Sequence, residues 1–358
     1  MNIKNLIAKF EKIFDLCEKN SNRYFIFFIF FILLLALLVR FDWMTQKNGL
    51  HMDEALSVMF ANYTPTNVIL DYGYRYKGSQ LKKIVSFDNQ NFSDAFDDIK
   101  NLYFDSRDLP HTNFYYSLLR LSFAGRKSAD LNDIICTGVF LNCLFFIIEY
   151  IFLFKSITLL FEKNRFITLV SLFCISLAGG SISATLFLRP YQLQIAMFIV
   201  FFYALLNTVI NKKYTLNNFL FIIIITAFTF LSGYFSIIFI GLNLIFFSAY
   251  LFFTKNIKKL YYLFFSLTAG GILAQCLYAK YWQTIFFGKD RAGEAYSKLD
   301  FNYVINNVAT ISDAFFNFLS TYALYPLSLS LIFISIFTII IHNKITKTKT
   351  NFKLTPPP

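Results

Sequence analysis

Residues 134–154 read IICTGVFLNCLFFIIEYIFLF, a stretch whose only charged side chain is that of Glu149. About 20 apolar residues in a helix are enough to cross the hydrocarbon core of a bilayer, so this stretch predicts a membrane-spanning helix. Seven further runs of this kind occupy residues 24–39, 166–187, 190–210, 216–231, 235–253, 260–279 and 322–341. The sequence therefore predicts an all-α, polytopic membrane bundle with about eight spans.

The composition of the whole chain agrees with this prediction. Of its 358 residues 56% are hydrophobic and 15% are charged, and 48 are phenylalanine. A soluble protein of this length carries more charge on its surface, and a disordered chain is much less apolar. These two classes are therefore excluded.

The net charge of +12 is concentrated on one side of the predicted spans. That side comprises the segments 1–23, 155–165, 211–215, 254–259 and 342–358, with 17 Lys/Arg against 4 Asp/Glu. On the other side, the long loop 40–133 has 11 basic and 12 acidic residues, and the loop 280–320 has four of each. The positive-inside rule makes the basic side cytoplasmic, which places both termini inside and both long loops outside. Because the basicity follows the topology, nucleic acid is not an expected partner.

Two short segments are predicted to lie along the membrane surfaces. Residues 1–23 form an amphipathic cytoplasmic segment, with apolar side chains at three- and four-residue steps among charges. Residues 113–124 (NFYYSLLRLSFA) are apolar but too short to span, so they predict an interfacial helix on the outer face. The membrane domain itself occupies residues 24–341.

Reactive side chains within the spans have structural explanations. Four of the five cysteines lie in predicted spans and the fifth, Cys17, is at the inner face, without any CxxC pair. We therefore expect neither a disulfide framework nor a zinc site. Glu149 lies about one and a half helical turns before Lys155, so its carboxylate is predicted to reach toward the cytoplasmic surface.

Three polar motifs on the outer side are the candidates for chemistry. The first, in residues 48–57 (NGLHMDEALS), presents His51, Asp53 and Glu54, the second is residues 109–116 (LPHTNFYY) with His111, and the third is residues 188–191 (LRPY) with Arg189 and Tyr191. Each has a plainer explanation. Acidic residues are common in the first turn of a helix, and an arginine at the end of a span can anchor to headgroup phosphate.

Taken together, the three motifs favour an active site at the outer membrane surface. A carboxylate can deprotonate an incoming hydroxyl, and an arginine offers planar, bidentate donors to a phosphate leaving group. At that depth the natural substrate is an anionic lipid headgroup. A transporter or flippase is the non-enzymatic alternative, although no internal repeat is visible in the sequence.

The order of these motifs is similar to that in the polytopic GT-C-fold glycosyltransferases related to protein O-mannosyltransferases and the aminoarabinose lipid A transferase. His51–Ala55 resembles their H-x-D-E-A element after the first span, and Arg189–Tyr191 resembles their R-x-Y element. Pro110–Tyr116 takes the place of an H-P-P-L-Y-Y-like segment but lacks the two prolines after the histidine. Ser232–Tyr234 takes the place of a T-H-Y-like element but lacks its histidine. The likeness covers roughly residues 24–255.

The resemblance implies an inverting enzyme that uses a polyprenyl-phosphate sugar as donor, in the inner membrane of a bacterium. It implies catalytic roles for Asp53, as general base, and for Glu54, which would orient Asp53 or the acceptor. Arg189 and Tyr191 would hold the donor phosphate, and His51 and His111 would lie near the substrates. The acceptor would be an envelope glycan, a lipid or a protein. No cofactor is implied, and a divalent metal stays open because relatives differ in metal dependence.

The end of the chain departs from the family. Relatives carry further spans or an outer domain here, whereas residues 342–358 form a polar tail that ends in three prolines. One proline codon is CCC, so two alternatives stand: a natural end, or a truncated, phase-variable and inactive form of a longer enzyme. A polysaccharide polymerase or ligase is the alternative enzyme class, and those typically rely on arginines in the outer loop.

Overall fold

The computed structural model describes residues 21–62, 75, 77–79, 91–104, 111–125, 130–161, 164–211, 214–233, 235–283 and 310. Within these residues the chain is all-helical. The helices are α1 (Ser21–Thr45), α2 (Met52–Ala61), α3 (Phe92–Phe104), α4 (Phe114–Ser122), α5 (Leu131–Leu160), α6 (Arg165–Ser176), α7 (Gly179–Leu186), α8 (Tyr191–Ile210), α9 (Leu216–Ser232), α10 (Ser236–Phe253) and α11 (Ile257–Leu277). The segment 1–20, most of the loop 280–320, the run 322–341 and the tail 342–358 lie outside the described residues.

Among the described residues, five helices are long and apolar enough to cross a membrane: α1, α5, α8, α10 and α11. The bent pair α6–α7 makes a sixth if it counts as one span, and α9 is apolar but has only 17 residues. Within the described residues, this finding confirms the all-helical fold and agrees with a polytopic membrane protein.

Polar residues just before the apolar runs fix where several helices begin. Asp130 caps α5 by accepting a hydrogen bond from the backbone N–H of Asn132 at 3.3 Å. Asn164 caps α6 and Thr215 caps α9 in the same way, through their side-chain oxygens. Each cap satisfies a backbone donor that the first helical turn leaves without an intrahelical partner.

The predicted span 166–187 is not one straight helix. It is divided into α6 and α7, which meet at an angle of 51°. The guanidinium of Arg40, buried in the bundle, donates to the carbonyl of Ser176 at 2.9 Å, to the Ser181 hydroxyl at 2.7 Å and to the Thr185 hydroxyl at 3.0 Å. A broken helix within a membrane is stable only where other groups satisfy its backbone. Arg40 does this from α1, and the sequence pattern alone did not predict the break.

Bundle helices that follow one another along the chain run in opposite directions, with α6 and α7 taken as one, whereas the packed pair α5 and α8 is parallel. The helices pack closely where side chains are small. α8 lies between α5 and α9, and α9 packs along α11. A Cβ atom at Gly270 would come within 2.5 Å of the Thr226 side chain, so glycine is what lets α9 and α11 approach each other.

The alternation brings the ends of α1, α7, α9 and α11 together with the starts of α5 and α8, at an end of the bundle that we call the site end. Basic side chains mark the opposite end. Lys155 lies 4.7 Å from the Phe152 ring, Lys259 lies 4.9 Å from the Tyr214 ring and Arg165 lies 5.5 Å from the Phe25 ring. Such cation–π contacts suit the edge of a bilayer, where charge and aromatic rings meet.

The short helices α2, α3 and α4 cover the site end. α4 confirms a helix in the predicted interfacial segment 113–124, but Tyr115, Tyr116 and Leu119 are all buried against neighbouring helices. A buried ion pair, Arg120 Nε to Asp98 Oδ2 at 2.6 Å, joins α4 to α3. The hydroxyl of Tyr103 donates to the carbonyl of Cys276 and so ties α3 to the end of α11.

Candidate functional site

The motif His51–Ala55 forms the beginning of α2. His51 is the N-cap, and its Nδ1 accepts a hydrogen bond from the backbone N–H of Asp53 at 3.2 Å. Glu54 Oε2 accepts from the backbone N–H of His51 at 2.7 Å, which completes a capping box. Glu54 therefore stabilises the beginning of α2, as the plainer, structural explanation of acidic residues in a first helical turn expects.

Glu54 is a structural junction of the site end. Its side chain is buried, and besides the His51 N–H it accepts from the backbone N–H of Leu188 at 2.8 Å and from the ammonium of Lys47. Lys47 also donates to the carbonyl of Leu186 at 2.7 Å. One carboxylate thus connects the end of α1, the start of α2 and the turn between α7 and α8.

Asp53 has the opposite environment. Its side chain is 41% exposed, and its Oδ2 lies 3.8 Å from Nδ1 of His51, whose own side chain is 62% exposed. Of the two neighbouring carboxylates, Asp53 is the one that a substrate can reach.

Arg189 is the residue at which the three motifs meet. It is buried in the turn before α8, and its Nη1 donates to the Ser57 hydroxyl of α2 at 3.3 Å and to the Tyr116 hydroxyl of α4 at 3.4 Å. Its Nη2 lies 3.4 Å from Nε2 of His111. Ser57 is one turn from Asp53 on α2 and donates to the Asp53 backbone carbonyl, so Arg189 contacts α2 one turn after the residue that carries the exposed carboxylate.

The top of α9 also reaches this cluster. The hydroxyl of Thr112, next to His111, donates to the carbonyl of Leu231. A Cβ atom at Gly233 would come within 2.6 Å of the Gln194 amide, one turn into α8. Ser232 and Gly233 of the fourth motif of the resemblance are therefore at the site end, and Tyr234 lies outside the described residues.

Tyr191 was predicted to bind the donor phosphate together with Arg189, and the structure places its ring elsewhere. The ring is 39% exposed and stacks parallel to the Phe187 ring, with centroids 6.0 Å apart. The Phe187 ring in turn lies 5.6 Å from that of His51.

A polar network inside the bundle holds the 187–190 turn in place. Asn142 of α5 donates to the carbonyls of Thr185 and Phe187, at 3.0 and 2.9 Å, and accepts from the Tyr115 hydroxyl at 3.3 Å. Burial raises the pKa of Tyr115, so its phenol stays protonated as the donor. A Cβ atom at Gly138 would come within 2.5 Å of the Leu188 side chain, so α5 also supports the turn by close contact.

The prediction for Glu149 was wrong. Its carboxylate does not reach toward the cytoplasmic surface but is buried in the bundle, where it accepts from the Gln192 amide at 2.6 Å. The Gln192 oxygen accepts from the Thr185 hydroxyl at 2.9 Å, and Thr185 also receives the bond from Arg40. The carboxylate hydrogen-bonds to a partner inside the bundle instead of extending toward the cytoplasmic surface. A single sequence does not reveal that partner.

Sequence reasoning missed four residues of the site: Lys47, Ser57, Phe187 and Leu188. Ser57 carried a usable signal, since it follows Asp53 by four residues and so shares its helix face. Lys47 carried a weaker one, as the last cation before the acidic pair. The roles of Phe187 and of the Leu188 N–H depend on a turn that lies more than 130 residues away from α2 in the sequence.

Neither a metal cluster among the described residues nor a similarity to known proteins assigns a function to this geometry. Among the residues that the structure describes, no three His, Cys, Asp or Glu side chains lie close enough together to hold a metal ion. The likeness to GT-C glycosyltransferases stays a prediction from the order of the motifs. Comparison with protein-family models, with curated proteins and with solved structures finds no match to this chain.

Proposed function

We propose that this chain is an integral-membrane glycosyltransferase with a GT-C-like architecture of about eight spans. It transfers a sugar from a polyprenyl-phosphate carrier to an envelope glycan, lipid or protein at the periplasmic face of a bacterial inner membrane. The observation that carries the proposal is the meeting of three distant motifs around Arg189, where the first motif also presents the exposed carboxylate of Asp53 one turn before Ser57. The basic end of the bundle lies opposite, which favours a periplasmic site and cytoplasmic termini.

Asp53 is the general base of the proposed reaction. It takes the proton of an acceptor hydroxyl while the acceptor oxygen attacks the anomeric carbon of the donor sugar. The bond between that carbon and the phosphate oxygen breaks, and polyprenyl phosphate leaves with the bonding pair. The product keeps the sugar with inverted anomeric configuration, since the attack comes from the side opposite the leaving group.

Arg189 holds the phosphate of the donor. The leaving phosphate gains negative charge as the bond breaks, and a guanidinium positioned in advance stabilises that charge more in the transition state than in the ground state. The hydroxyls of Ser57 and Tyr116 fix its orientation, as does the nearby imidazole of His111. Burial strengthens the electrostatic effect because water is largely excluded around the guanidinium.

Glu54 is a positioning residue in this mechanism. Its hydrogen bonds to Lys47 and to the Leu188 N–H fix the distance between α2, which carries Asp53, and the turn that carries Arg189. The two carboxylates of the pair therefore have separate roles, one at the substrate and one in the framework.

The direct test supplies a panel of radiolabelled polyprenyl-phosphate sugars to membranes that contain the chain. We expect one carrier-linked sugar to be consumed, and consumption to fall sharply with Arg189→Gln. Arg165→Gln, at the opposite end of the bundle, is the matched control and should behave like the unmodified chain. If membranes with and without the chain consume every donor equally, the proposal is wrong.

A second candidate is a transporter of lipid-linked sugars, favoured by the break between α6 and α7 and by the buried Arg40 and Glu149. Broken helices and ionisable residues inside a bundle are common in transporters. Vesicles that contain the purified chain and a labelled polyprenyl-phosphate sugar separate the two functions. A transporter moves the intact donor across the bilayer, whereas the proposed enzyme cleaves its sugar–phosphate bond.

A further inference from the structure

An aromatic row, exposed at His51 and Tyr191 and partly buried at Phe187, borders the candidate base. It consists of His51, Phe187 and Tyr191, with the Phe187 ring parallel to that of Tyr191 (3° between planes) and 5.6 Å from that of His51. The offset arrangement spreads the ring faces over a surface instead of stacking them face to face, and such pairs hold one another in place.

His51 joins the row to Asp53. Its ring lies 5.6 Å from that of Phe187, and its Nδ1 lies 3.8 Å from the Asp53 carboxylate. Ser57, one turn after Asp53 on α2, contacts Arg189. Asp53 and His51 add hydrogen-bonding groups to the edge of the row, and both side chains are exposed.

We propose that the aromatic row is the acceptor site and that it binds a sugar ring. This inference rests on the proposed function, which assigns the donor phosphate to Arg189 and the acceptor hydroxyl to Asp53. One face of a sugar ring presents C–H groups that pack on an aromatic face, while its hydroxyls need acceptors and donors at the edge. The row with Asp53 and His51 provides both, so the acceptor is a carbohydrate and not an extended peptide.

A binding measurement tests this without any donor. Tyr191→Trp places a fluorescent indole in the row of the purified full-length chain, and Tyr250→Trp, at another exposed tyrosine on α10, is the control. The probes are methyl glucoside, methyl mannoside, methyl galactoside and N-acetylglucosamine, with glycerol as the non-sugar polyol. We expect a saturable change in emission with at least one sugar for Tyr191→Trp, and none for Tyr250→Trp or with glycerol.

Changes at Phe187 sharpen the test. In the Tyr191→Trp background, Phe187→Leu should raise the Kd for the sugar about three- to tenfold, because one stacking face is lost. Phe187→Tyr keeps the ring and should leave the Kd within about twofold. If these two variants have equal Kd values, the Phe187 ring does not take part and the proposal is wrong.

Two further results would overturn the acceptor site. Tyr191 at the end of a span is also suited to anchor the chain at the bilayer interface, and an anchor gives no saturable response to any sugar. A response to geranylgeranyl phosphate in place of the sugars would assign the row to the carrier lipid. Either result leaves donor consumption untouched, so the failure of the acceptor site is distinguishable from the failure of the proposed function.

Discussion

The two adjacent carboxylates of α2 differ because of their partners, not because of their position in the motif. Sequence reasoning gave both a catalytic role and took Asp53 as the base only because the family likeness places it first. Glu54 is held by Lys47, two residues after the end of α1, and by the N–H of Leu188, which is 134 residues away in the sequence. That second partner appears only when the chain folds, whereas the helix start itself was predictable from the local pattern.

Replacing each carboxylate by alanine should therefore give unequal losses of stability. Glu54→Ala leaves Lys47 without this carboxylate and removes two acceptors of backbone N–H groups, so we expect a loss of about 3 kcal/mol. Asp53→Ala removes an exposed side chain from a first helical turn, so its loss should be below about 1 kcal/mol. Thermal unfolding of the purified variants measures both, and equal losses would contradict the assigned roles.

Arg189→Lys tests whether the planar guanidinium matters as well as its charge. Lysine keeps the positive charge but lacks the planar set of N–H donors with which a guanidinium can contact Ser57, Tyr116 and a phosphate at the same time. We expect a fall in kcat/KM for the donor of about ten- to a hundredfold, equivalent to about 1.5–3 kcal/mol. Arg165→Lys at the opposite end serves as the control, and an active Arg189→Lys variant would show that charge alone suffices.

At the scale of elements, the sequence predicted most helices but not the break between α6 and α7. Residues 166–187 are apolar throughout, and periodicity cannot show that Arg40 of another helix will satisfy Ser176 and Ser181. The two adjacent glycines at the start of α7, Gly179 and Gly180, are weak helix formers and mark the position of the break. The prediction for the side chain of Glu149 was wrong for the same reason, since its partner Gln192 comes from a neighbouring helix.

The contact between α5 and the 187–190 turn gives a prediction at this scale. Gly138→Val puts side-chain atoms where Leu188 now packs, so the turn has to move and the Leu188 N–H leaves Glu54. We expect donor turnover to fall at least tenfold because small displacements of positioning groups cost about that much or more. Gly241→Val is the control, since a Cβ atom at Gly241 meets nothing within 4 Å. Full turnover by Gly138→Val would show that the turn does not depend on this contact.

At the scale of the whole molecule, hydropathy and charge predicted an all-α membrane bundle, because spans must be apolar and their ends follow the positive-inside rule. The candidate site was predictable only as three separate motifs. Their meeting around Arg189 depends on α7 ending where α5 and α8 begin, and on α2 and α4 covering the site end. Packing of that kind is a property of the fold and not of any local stretch.

The orientation in the membrane can be measured with introduced cysteines. Asn48→Cys lies at the site end and Lys255→Cys lies between α10 and α11 at the opposite end, and both positions are exposed. In intact cells with a permeabilised outer membrane, an impermeant maleimide should label Asn48→Cys above the background of the native cysteines. Labelling of Lys255→Cys should require disruption of the inner membrane. The reverse pattern would place the site on the cytoplasmic face.

In the proposed mechanism, Asp53 is the base of a sugar transfer from a polyprenyl-phosphate donor. The most direct test of this role compares the rate of donor consumption for Asp53→Asn and for Asp42→Asn, an exposed aspartate of α1, at equal amounts of folded chain. The proposed mechanism predicts that Asp53→Asn lowers kcat about 10²- to 10⁴-fold, as expected for loss of a general base, while Asp42→Asn matches the unmodified chain. Undiminished turnover by Asp53→Asn would contradict it.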